Sequence, residues 1–130
     1  MKKIVLDTNF LLIPGQFKVD IFSELQRICH FNYELCIYEG SMDELKNITK
    51  AGSGRDKSAA KLALQLIRAK SIKTIKSDEK YIDLAILDNA GRDSIIATQD
   101  IQLKKKLLEK GSSVVILRQK KYLRLMGKAL

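Results

Sequence analysis

Residues 4–9, Ile4-Val5-Leu6-Asp7-Thr8-Asn9, form an apolar run that stops on a carboxylate. Open parallel sheets bind ligands outside the carboxyl ends of their strands, so an acid at that point stands in a crevice rather than in a core. The pattern returns in Ile95-Ile96-Ala97-Thr98-Gln99-Asp100, where a second apolar run ends in a short polar step and an acid. Two parallel strands would carry both acids to one rim, and two acids on one rim suggest a cation. Either acid alone also reads as a helix cap, because Asp is favoured just before a helix begins. The repetition favours a site.

Working outward, short apolar runs alternate with helical patterns along the whole chain. Strands are expected at 3–6, 34–38, 72–75, 94–98 and 113–117, and a short helical turn at 10–13, stopped by Pro14-Gly15. Helices are expected over 19–29, from Ser41 through Ile48, then over 58–70, 81–90 and 101–110. Ser41 and Glu44 have capping-box spacing, and the stretch 49–56, with Gly52, Ser53 and Gly54, reads as a mobile loop. Apolar strands without two-residue alternation indicate an α/β fold whose parallel sheet is covered on both faces. No repeat, linker or low-complexity tract divides residues 1–130, so one domain is expected.

The 130 residues are 45% hydrophobic, enough for a core of ordinary density. The net charge of +9 favours a polyanionic partner. It is concentrated in a basic segment, 104–130: Lys104, Lys105, Lys106, Lys110, Arg118, Lys120, Lys121, Arg124 and Lys128 stand against Glu109 alone. Such one-ended clustering fits a phosphate-backbone footprint, and a solvated helix face and tail would look the same. Cys29, Cys36 and His30 lack zinc-site spacing and read as packing or surface residues. Asp7 and Asn9 interrupt the first apolar stretch too early for a secretory signal, and no run approaches a membrane span. A cytoplasmic location and no membrane association are expected.

Four acids stand out by position: Asp7 and Asp100 after strands, Glu44 in a first helical turn, and Asp83 near the start of the helix over 81–90. Right-handed crossovers put strand ends and the helix starts that follow them on one side of a sheet, so the four can converge. Oxygen-only clusters suit hard cations such as Mg²⁺ or Mn²⁺, which also take substrate phosphates as ligands. Such a cation can acidify a water for phosphodiester hydrolysis. Four adjacent ionised acids would cost several kcal/mol without a counter-charge. Thr8, Asn9 and Thr98 are short polar neighbours able to orient an acid or hold a water. Glu44 as a capping acid and Asp83 as a solvated first-turn residue remain the structural alternatives, while Asp43, Asp88 and Asp93 read as solvent-facing.

These residues make the chain resemble the PIN-domain nuclease family over essentially its whole length. Leu6-Asp7-Thr8-Asn9 is similar to the family's opening motif, Asp43-Glu44-Leu45 to its helix-borne glutamate, and Ile96-Ala97-Thr98-Gln99-Asp100 to its closing T-x-D step. The resemblance implies a three-layer α/β/α domain with a five-stranded parallel sheet, a Mg²⁺ or Mn²⁺ site, and RNA as substrate. Carried over by position, Asp7, Glu44, Asp83 and Asp100 are the catalytic, metal-binding acids, with Thr8, Asn9 and Thr98 supporting. Lys104, Lys105, Lys106, Arg118, Lys120, Lys121 and Arg124 would grip the RNA backbone. Many relatives carry two consecutive acids at the third position, where this chain has Asp83-Leu84. The implied role is an endoribonuclease, in ribosomal-RNA processing or as a VapC-type toxin. Tyr81-Ile82-Asp83 and the basic ending Arg118-Gln119-Lys120-Lys121-Tyr122-Leu123 look closer to the ribosomal-RNA-processing members, while VapC-type toxins have the same size and site. An antitoxin, a ribosome-assembly partner and a homodimer are the associations left open. The rival readings are a catalytically weak or inactive PIN-fold RNA-binding or assembly module and a phosphatase or phospho-acceptor using Asp7 as nucleophile.

Overall fold

The computed structural model describes residues 1–77, 81–91 and 93–127. The chain opens with β1 (Lys2–Leu6), α1 (Thr8–Leu11), α2 (Ile13–Phe17) and α3 (Ile21–Ile28). It continues through β2 (Tyr33–Tyr38), α4 (Glu39–Ala51), α5 (Gly54–Ala69), β3 (Lys73–Ile75) and α6 (Ile82–Asn89). β4 (Ile95–Ala97), α7 (Ile101–Glu109), β5 (Ser113–Arg118) and β6 (Tyr122–Met126) complete it. The strands form one sheet in the order β3-β2-β1-β4-β5-β6.

β1 and β4 lie side by side and parallel, with Leu6 opposite Ala97, so Asp7 and Thr98 leave the sheet at the same level. That register puts both strand-end motifs on one rim, as their shared pattern requires. The α3 and α5 side of the sheet is packed with Ile4, Leu6, Phe10, Leu25, Ala63 and Val115, and the α6 and α7 side with Ile86, Ile96, Leu107, Val114 and Ile116. Burying both faces stabilises the parallel strands and explains their unbroken apolar runs.

The sheet has six strands rather than the five expected, and β6 runs antiparallel to β5, with Leu117 opposite Leu123. The turn between them, Gln119-Lys120, holds both residues at positive φ, 51° and 56°. Asn-Gly is the usual occupant of such a turn, so Gln-Lys gave no hairpin signal. The strand itself was legible: Leu123 and Leu125 alternate with Tyr122 and Arg124, and the leucines pack into the core. β6 is a sheet edge closed by α3. Glu24 Oε1 accepts the Leu123 N–H at 2.9 Å, and Arg27 donates to the Leu123 carbonyl at 3.1 Å. The two side chains, themselves paired at 2.8 Å, stand in for a neighbouring strand.

Three helical expectations also change. Pro14 and Gly15 do not stop a helix but open α2, since proline fits a first turn whose N–H groups have no partner. Gly15 is required by packing, because a Cβ there would lie 2.5 Å from the Ala59 backbone of α5. The stretch 49–56 is mostly helix, broken only at Gly52 and Ser53. α4 begins at Glu39, so Ser41 and Glu44 form no capping box. Among the described residues no helix is long and apolar enough to cross a membrane. Cys29 and Cys36 are buried free thiols, and His30 is exposed.

Candidate active site

Asp7 leaves β1 with its backbone N–H bonded to the Ala97 carbonyl at 2.9 Å, which ties it to the end of β4. Its carboxylate is turned inward and only 4% exposed. Oδ1 accepts the Thr8 N–H at 2.8 Å, and Oδ2 accepts the hydroxyl of Thr98 at 2.8 Å. Burial pushes the Asp7 pKa up to about 6; the Thr98 and Thr8 bonds oppose the rise, and the charges of Asp83 and Glu44 add to it. Among the described residues the ion pairs are Arg27–Glu24 and Lys73–Glu34, so no basic side chain pairs with Asp7. The result is a buried acid, held by neutral donors and pressed by two like charges.

Glu44 and Asp83 reach the site from the helices. Glu44 lies on α4 and Asp83 in the first turn of α6, and both are exposed. Gly40, at the start of α4, has no side chain, and Ile82 fills the space a Cβ would take. This contact sets the α6 start against the α4 start and brings Asp83 within electrostatic reach of Glu44. The Glu44 pKa is raised, first by desolvation and then by Asp83, while a hydrogen bond with Thr8 lowers it. The hydroxyls of Thr8 and Ser41 are 2.8 Å apart. Thr8 donates this bond to Ser41, while its backbone N–H donates to Asp7. Ser41, 0% exposed, is therefore the residue that orients Thr8. Its polarity in a helical pattern was the available signal, and the capping-box reading absorbed it.

Asp100 is differently employed. Its Oδ1 accepts the Gln102 and Leu103 N–H groups at 2.9 and 3.1 Å, capping α7, which leaves Oδ2 as the oxygen that could meet a ligand. Its link to Asp7 runs through Thr98, 0% exposed, whose oxygen accepts the Asp100 N–H at 3.1 Å while its proton goes to Asp7. Asn9 holds the same loop: its Oδ1 accepts the Gln99 N–H at 3.1 Å and its carbonyl accepts Gln99 Nε2 at 2.6 Å. Gln99 is a further support that the T-x-D pattern concealed, because its position carries no acid.

Asp7, Glu44 and Asp83 thus share one field, and Asp100 adjoins Asp7 through a single hydroxyl. Among the described residues no three acidic, histidine or cysteine groups are already drawn into a coordination cluster. Of the basic residues, Lys104, Arg118 and Lys120 line one cavity of about 480 Å³ together with Thr98, Gln99 and Asp100. Lys121 lines a separate shallow cavity beside α3, and Lys105, Lys106 and Arg124 are exposed elsewhere. Asp43, Asp88 and Asp93 are exposed, as their positions suggested.

Comparison with known proteins agrees with this architecture. A family described as a PIN-like domain matches residues 4–120. The chain is 34% identical over 129 residues to Ribonuclease VapC4 of Methanocaldococcus jannaschii, covering 98% of each protein. Its fold superposes on the structure of the PIN domain endonuclease Utp24 with a TM-score of 0.78 at 21% identity, covering 97% of this chain and 92% of that one. A domain of a functionally unknown protein from Methanocaldococcus jannaschii superposes at 0.62, with 19% identity over 91% of this chain and 92% of that one. With a family match over 4–120 and a relative alike from end to end, the chain belongs to the PIN-like domain family.

Proposed function

We propose that this protein is an endoribonuclease that hydrolyses RNA phosphodiester bonds with a divalent cation, Mg²⁺ or Mn²⁺, held by Asp7, Asp100, Glu44 and Asp83. The observation that carries the reading is the state of Asp7: a buried carboxyl with pKa near 6, between like charges and without a basic partner. Folding leaves that group unfavourable when ionised, and a cation relieves it. The donors are all carboxylate oxygens, which fits a hard ion rather than zinc or copper. When bound, the ion supplies charge neutralisation at the phosphate and acidifies water. Asp7 and Asp100 hold it, and Glu44 and Asp83 complete or orient its surroundings. Thr98 and the Thr8 N–H hold Asp7, Ser41 anchors Thr8 beside it, and the basic residues beside Asp100 bind the chain being cut. In the reaction a water oxygen bonds to phosphorus, the P–O bond to the leaving ribose oxygen breaks, and that oxygen takes up a proton.

Similarity along the whole chain to Ribonuclease VapC4 favours a VapC-type role, with an antitoxin as partner, over ribosomal-RNA processing. One observation supports a second reading, an inactive PIN-fold RNA-binding module. Leu84, beside Asp83, is 46% exposed, so the position that could have carried a further acid presents an apolar side chain to solvent. Incubating the purified chain with single-stranded and structured RNA in Mn²⁺, with and without EDTA, decides between them. Cleavage that EDTA abolishes and Asp7→Asn lacks supports the enzyme. RNA binding without cleavage supports the module.

A further inference from the structure

The cavity next to Asp100 has a construction that backbone binding alone does not require. Its walls include Gln99 just ahead of α7, Ile101 at the start of that helix, Lys104 one turn on, Arg118 at the end of β5, Lys120 from the β5–β6 turn, and Phe17 from α2. Ile101 is 65% exposed, an aliphatic side chain left in water at the cavity mouth. Lys120 Nζ sits 5.8 Å from the Phe17 ring centre, which keeps its charge at the rim. The turn carrying it holds two consecutive non-glycine residues in the left-handed region. Strain of that kind persists where neighbouring structure enforces it, and it often marks a binding site. The space, about 480 Å³, lies in the range of small-ligand pockets and opens on the Thr98-Asp100 step that flanks Asp7.

Resting on the nuclease reading above, we infer that this cavity is a nucleotide subsite beside the bond to be cut, where one unstacked base lies on Ile101 and its phosphate meets Lys104 and Arg118. Apolar surface exposed at a mouth ringed by cations suits a group that is flat and apolar on one side and anionic on the other. A nucleotide of single-stranded RNA has that character, and a base paired in a duplex cannot present its face. Lys120 closes the rim. Ile101 and Arg118 are then specificity-determining residues, distinct from the acids that support hydrolysis.

The test reads occupancy and cleavage separately. Fluorescence anisotropy in EDTA measures binding of a labelled single-stranded RNA hexamer to the intact protein, with a series of hexamers in which one nucleotide at a time is made abasic. Ile101→Ser and Arg118→Ala alter exposed side chains, and unchanged circular dichroism checks their folding. Each is expected to weaken binding of the intact hexamer by about five- to tenfold, the scale of one lost base contact or charge-assisted bond. One abasic position should weaken wild type by a similar factor and leave Ile101→Ser unaffected. If that position costs both proteins equally, or if duplex RNA binds as tightly as single strands, the subsite is overturned. Cleavage is then scored in Mn²⁺: a wild type that shows the binding pattern but never cuts would remove the nuclease reading and leave the subsite standing.

Discussion

Thr98 donates its hydroxyl proton to Asp7 across 91 residues of sequence, at 2.8 Å, while its oxygen accepts the Asp100 N–H at 3.1 Å. One side chain therefore joins the acid of β1 to the acid that caps α7. Thr98→Val keeps the shape and removes both bonds. It should lower stability by about 1–3 kcal/mol through the buried acceptor left without a donor. Because the Thr98 bond lowers the Asp7 pKa, the variant's Asp7 should titrate above the value near 6. Carbon-13 NMR titration in EDTA checks this, and an unmoved titration would show that Thr98 does not hold the ionised form.

In the metal-free protein Asp7 should contribute less stability as pH rises. Asp7 has a folded pKa of about 6 against 3.8 as a free side chain, so the folded state binds the extra proton between those values. The Asp7 contribution is then fully present below about pH 4, is lost as pH rises through 6 and is flat above, a total of roughly 3 kcal/mol by linkage. The lowered pKa values of Asp20 and Glu24 act in the opposite sense at acid pH. Asp7→Asn removes the slope and should be more stable than wild type at pH 8 in EDTA by about 1–3 kcal/mol, discounted for the amide's poorer match to the Thr98 hydroxyl. Adding Mn²⁺ should raise the wild-type Tm and leave the variant unmoved. Thermal melts of both proteins across pH decide it, and a wild type whose stability relative to Asp7→Asn does not fall between pH 4 and 7 would contradict the assignment.

The lysines of α7 should not contribute equally to RNA binding. Lys104 is half-buried in the cavity wall beside Asp100, whereas Lys105 and Lys106 are exposed outside it. Lys104→Ala should reduce the slope of log affinity against log salt by about one, and Lys105→Ala by less. Equal slopes would mean that the RNA path runs along the outer face of α7.

Glu24 and Arg27 guard the edge at β6. Glu24→Ala strips the Leu123 N–H of its acceptor and frees Arg27, so stability should fall by about 1–3 kcal/mol. The opened edge should also promote strand-to-strand association. Urea melts and light scattering at rising protein concentration measure the two effects, and a variant that matches wild type in both would show the clamp to be ornamental.

Much of this molecule is written in short-range pattern. Apolar runs ending in Asp7 and before Asp100, separated by helical periodicity, specify a parallel sheet and place both acids on one rim, because right-handed crossovers leave strand ends on a single side. What pattern could not carry was decided by contacts between distant residues. Ser41 is a buried prop for Thr8, 33 residues away, only because α4 begins at Glu39 and turns that face inward. Asp83 joins the field of Asp7 and Glu44 because Gly40 makes room for Ile82. β6 reverses direction through a turn whose residues lack the usual preference, and its edge is satisfied by side chains of α3. The cavity beside Asp100 exists only where α2, α7 and that turn meet. Local sequence sets which way a side chain faces along its own element, and the packing of elements sets what it faces.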